Sequence, residues 1–91
     1  MIRFTQYMLP DGRPVARNYP CSEALSVKAQ EFIQVGGFFE AEILPNRQVS
    51  LTACLSLDGE PQDIACEICN NGPEVHDAVD RLIHHALEAI V

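Results

Sequence analysis

The stretch from Asn70 to Val91, NNGPEVHDAVDRLIHHALEAIV, constrains this chain most, because its periodicity, start signal and length all specify a helix. At about 100° per residue, Val75, Ala78, Val79, Leu82, Ile83, Ala86, Ala89 and Ile90 fall on one arc, opposite Glu74, Asp77, Arg81, His84, His85 and Glu88. Pro73 suits the first helical position, where its missing N–H would have no partner, and Glu74 and Asp77 complement the positive end of the helix dipole. Everything upstream must therefore supply a surface for that arc.

Two hairpin turns, Leu44 to Gln48 and Asp58 to Gln62, separate three segments that alternate in phase: Phe39, Ala41 and Ile43; Val49, Leu51, Ala53, Leu55 and Leu57; Ile64, Cys66 and Ile68. These are the expected core faces. The opposite side carries Glu40 and Glu42, then Ser50, Thr52, Cys54 and Ser56, then Asp63 and Glu67, so it should be polar and acidic. Upstream, Ser22 is a good N-cap for a helix from Glu23 to Val35 with an apolar arc of Leu25, Ala29, Phe32 and Ile33, ended by Gly36 and Gly37. Ile2 to Leu9, a Pro10-Asp11-Gly12 turn and Pro14 to Tyr19 read as a strand and an edge strand or loop, with the phase of the first strand open. The fold class is α+β: a two-layer sandwich, an antiparallel sheet of three to five strands with two helices on one face, in the order β(β)αβββα, as a single domain over residues 1–91.

Six basic against thirteen acidic residues give a net charge of −7, which repels phosphate backbones and lipid headgroups and favours basic partners. Neither nucleic acid nor membrane is an expected partner. With no apolar run of about 18 residues and no secretory signal in Met1 to Tyr7, the expected location is the cytoplasm and the four cysteines are expected as free thiols.

No constellation carries recognisable catalysis. Cys66 and Cys69 spell CxxC, but three apart on a strand they point to opposite faces, and Cys54 and Cys69 are expected on the outer face. His76, Asp80, His84 and Glu88 recur every four residues along the last helix, so neighbours can share a metal ion, yet the row drifts and reads better as a solvated stripe. No cofactor, catalytic residue or metal ligand is assigned.

From Ser22 to Val91 the order helix, three strands, helix resembles the topology of the double-stranded-RNA-binding domain. That family holds phosphates with basic residues at the start of its last helix, where this chain has the acidic PEVHDAVD, so RNA binding does not carry over. YMLPDGR, EAEIL, VSLTACL and CNNGPEVHDAVDRLI also resemble a family of small uncharacterised bacterial proteins, a resemblance that implies no activity.

The resulting expectation is a non-enzymatic protein-interaction module. Its candidate contacts are Glu40, Glu42 and Glu67 on the outer sheet, and His76, Asp80, Ile83, Leu87 and Ile90 on the last helix. Ile83, Leu87, Ile90 and Val91 widen the helix arc beyond what a small sheet covers, which points to a homodimer through the C-terminal helix. The alternatives are an acidic nucleic-acid mimic that inhibits a basic protein, and a small-ligand or metal-binding module using the His/Asp stripe.

Overall fold

Five strands and two amphipathic helices follow one another in the order β1 (Ile2–Met8), β2 (Arg13–Tyr19), α1 (Glu23–Gln34), β3 (Gly37–Ile43), β4 (Gln48–Leu57), β5 (Glu60–Asn70) and α2 (Glu74–Ala89). The structure, a computed structural model, describes residues 1–8 and 13–90. The expected Pro10-Asp11-Gly12 turn, Leu9 and Val91 lie outside the described residues. The class is α+β, with both helices on one face of the sheet.

The strands are ordered β2-β1-β3-β4-β5, antiparallel at every pairing except β1 with β3, which run parallel. That parallel contact follows from the route of α1. β2 ends beside the start of β1, with Tyr19 opposite Ile2, and the pairing of Thr5 with Glu40 puts the start of β3 at the same end. Helix α1 thus begins and finishes at one end of the sheet. Gly36 closes it at φ +96°, a conformation suited to glycine. Gly37 then enters β3 directly under Phe32, where a Cβ would strike the Phe32 ring and carbonyl.

Ile2, Phe4 and Gln6 place the inner face of β1, resolving its phase, and Phe4 packs edge-on to Tyr19 and beside Phe39. Gln6 is the one buried polar side chain among the described residues, and it accepts a hydrogen bond from the Tyr19 hydroxyl. From above, α1 adds Ala29 and Phe32, and α2 adds Val75, Ala78, Val79, Leu82, Ile83 and Ala86. Fully burying a Val, Leu or Ile side chain stabilises by about 1.5 to 3 kcal/mol, so α2 is the largest helical contributor to the core.

Ser22 occupies the N-cap of α1 but makes no side-chain cap; its backbone N–H instead donates to Asp80 Oδ1 at 2.8 Å, tying α1 to α2. The second hairpin is tighter than the sequence suggests. Asp58 and Gly59 alone turn, both at positive φ, and the strand resumes at Glu60.

The largest departure from simple alternation is in β5. Ala53 pairs with Ala65 and Cys54 with Asp63, leaving Ile64 as an extra residue in a β-bulge. One inserted residue transfers every later side chain to the opposite face. Ile64 still packs against the core, as expected, but Cys66 is exposed and Ile68 is 57% exposed on the outer face, while Glu67 and Cys69 turn inward. The expected outer placement of Cys69 is corrected accordingly, since it is buried on the helix side; Cys54 does lie on the outer side, but it is only 1% exposed and not open to solvent.

Candidate functional site

Helices cover one face of the sheet; no described element covers the other. Alternation fixes which side chains stand on the uncovered face, and register sets their neighbours. One row across the strands reads Pro14, Tyr7, Glu42, Ser50 and Ile68, and the next reads Ala16, Thr5, Glu40, Thr52 and Cys66. Phe38, Cys54 and Asp63 lie in line beyond them. The face therefore mixes hydroxyls and a few apolar side chains around a central acidic pair.

Glu40 is the best-held member of that pair. Tyr7 Oη donates to Glu40 Oε1 at 3.1 Å, and Cys54 Sγ lies 3.9 Å from Glu40 Oε2 and 3.3 Å from Asp63 Oδ1. The hydrogen bond to Glu40, helped by that carboxylate's charge, holds the Tyr7 phenol above its ordinary range. Burial, the Asp63 hydrogen bond and the Glu40 charge push the Cys54 thiol up to about 12. Both groups are thus neutral donors near pH 7. Cys54 is the reverse of an activated nucleophile, since a reactive thiol is found where a positive environment lowers its pKa. Across the next two strands, Cys66 Sγ sits 3.6 Å from Ser50 Oγ and 3.8 Å from Thr52 Oγ1.

The sequence-derived site residues separate into distinct places. Glu40 and Glu42 are together on the uncovered face. Glu67 is not with them: the bulge turns it toward α2, where its Oε1 meets Arg81 Nε at 3.4 Å and His85 Nε2 at 4.0 Å, leaving its side chain 21% exposed. Ile83 is also corrected, being fully buried in the core, and Leu87 and Ile90 are partly buried against it. A fifth strand and the packing of α1 on α2 provide more cover than a smaller sheet would. The end of the helix accordingly offers less apolar surface than its helical wheel suggests.

His76 and Asp80 remain on the flank of α2, with His76 Nδ1 3.6 Å from both Asp80 Oδ2 and Asp77 Oδ1. These three donors lie within 4.8 Å of one another. Further along, His84 Nε2 approaches Glu88 Oε1 at 3.1 Å, so the four-residue stripe divides into two separate contact groups and does not converge on one point. Asp77, one position off the stripe, is the neighbour that sequence periodicity did not single out.

Two cavities of about 200 Å³ each open at the surface, one beside Arg3, Thr5, Ile33 and Phe38 and the other between Arg17, Tyr19, Asn71 and Val75. Each is smaller than the roughly 300 to 1,000 Å³ usual for small-molecule sites. No described helix is long and apolar enough to cross a membrane. No family model, curated protein or solved structure matches this chain.

Proposed function

We propose that this protein is a non-enzymatic interaction module whose uncovered sheet face binds a protein partner. The observation that carries the reading is the one-sided arrangement: both helices pack on the same side, and the opposite side presents Tyr7, Glu42, Ser50 and Ile68 in one continuous row. Exposed apolar side chains beside oriented polar ones suit a protein interface, whose rim is polar and whose centre excludes water. The small cavities and the protonated Cys54 thiol favour contact over chemistry.

The test compares wild-type protein with Ser50→Trp, a bulky change in the middle of that row, as immobilised baits in cell lysate. Proteins held by the wild type and lost by a variant of equal melting temperature support the reading. Identical sets of captured proteins refute it.

A second reading, metal binding, is favoured by the His76, Asp77 and Asp80 trio. Donors bound to zinc at about 2.0 to 2.2 Å stand a little over 3 Å apart, close to the 3.6 Å spacings here. Zinc titration followed by calorimetry decides: binding lost in His76→Ala supports this reading, and no heat of binding dismisses it.

A further inference from the structure

We infer that the occupant of the uncovered sheet face is a cationic segment of a partner protein, with arginine or lysine side chains set on Glu40 and Glu42. This inference rests on the reading of that face as the binding surface and adds the chemistry of what it takes.

Charge decides among the occupants. Glu40, Glu42 and Asp63 all lie on this face, and Arg3, at the end of β1, is the one basic residue among its described strand positions. The whole chain carries −7. A second copy stacked face to face would bring the acidic pair against its own symmetry mate, a like-charge contact that opposes association. Nucleic acid meets the same repulsion from its phosphates. A positively charged segment is the complementary partner.

Geometry narrows it further. Glu40 and Glu42 stand two residues apart on β3, about 6.6 Å along the strand. An extended segment with basic side chains at alternate positions has the same spacing, so both carboxylates can be met together. The carboxylate of Glu40 is held in place from one side by the Tyr7 hydroxyl, while Glu42 is exposed. Ordering one of the two beforehand lowers the entropy cost of binding.

The experiment measures the affinity of a fluorescent nona-arginine peptide by anisotropy at about 0.15 M salt, where charges further apart than roughly 8 Å are largely screened. Four proteins are compared: wild type, Glu40→Gln/Glu42→Gln, the charge-matched helix control Glu31→Gln/Asp77→Asn, and Ser50→Trp. Wild type should bind, with the outer-face pair weakened about tenfold, the helix control less than about threefold and Ser50→Trp strongly weakened. Equal weakening in the two double variants overturns the inference, because binding then follows net charge and not this face. Loss in Ser50→Trp with no loss in Glu40→Gln/Glu42→Gln overturns the cationic occupant and leaves the face reading standing. No dependence on any variant overturns both. The glutamine pair, nearly isosteric with the native side chains, carries the test by itself should Ser50→Trp fail to fold.

Discussion

The two faces of one sheet differ in how their side chains are held. On the helix side, Phe4, Phe39, Leu51, Phe32 and Leu82 are buried with almost no exposed surface, and Gln6, the one buried polar side chain among the described residues, has its hydrogen bond. On the other side, Glu42 and Ile68 are exposed, Glu40 is held by the Tyr7 hydroxyl, and Cys54 is the one side chain there that is both buried and hydrogen-bonded among the described residues. Stability should depend on the first face and binding on the second. The contrast shows how a chain of this size can keep a full core and still leave one sheet face uncovered by any described element.

The largest effect should come from the covered side. Leu82→Ala removes a fully buried side chain from the centre of α2 and should destabilise by about 2 to 5 kcal/mol in a urea titration. A loss as small as that of a surface substitution would mean α2 does not cover the sheet in this way.

Gly37→Ala should come next. Its added methyl meets the Phe32 ring and backbone at the start of β3, an overpacking that costs about 1 to 3 kcal/mol, again read from denaturant unfolding. A neutral result would place α1 further from the sheet.

On the uncovered side a pH dependence should appear. The Cys54 thiol is raised from 9.0 to about 12 by folding, so its contribution to stability is complete below pH 9 and is lost as the pH climbs toward 12. Thermal unfolding of wild type and Cys54→Ala across that window should show a steeper alkaline decline in the wild type. Parallel curves would contradict the burial of this thiol.

Ile68→Ser should have the smallest effect, within about 0.5 kcal/mol, because this side chain is 57% exposed. The same substitution at Leu51, opposite in facing and fully buried, sharpens the comparison. A cost of several kcal/mol at Ile68 would restore it to the core and remove the bulge.

These pairs also show what the sequence made legible. The α2 arc and the phase of β3 and β4 are readable because their apolar residues fall mostly on one arc or one parity, with Phe38 and Cys54 the exceptions in the strands. β5 does not: Ile64, Ala65, Cys66, Ile68 and Cys69 put apolar side chains on both parities, so either phase looks acceptable. The bulge at Ile64 carries no glycine to mark it, and the reason Glu67 can face inward is the presence of Arg81 and His85 on α2, partners far away in sequence. The burial of Ile83 is hidden from the sequence for a related reason. A helical wheel gives the width of an apolar arc, but the cover available depends on the number of strands and on α1 packing alongside. Simple alternation places Glu40, Glu42, Cys54 and Asp63 on the uncovered face, whereas their hydrogen-bonded grouping with Tyr7 depends on cross-strand register.

The division between the two faces is tested most directly by backbone amide chemical shifts followed while the nona-arginine peptide is titrated into labelled protein. The account predicts shifts centred on Tyr7, Glu40, Glu42, Ser50 and Thr52, with Asp77 and Glu88 on α2 unmoved. Shifts centred on the acidic flank of α2, with the sheet face silent, would contradict it.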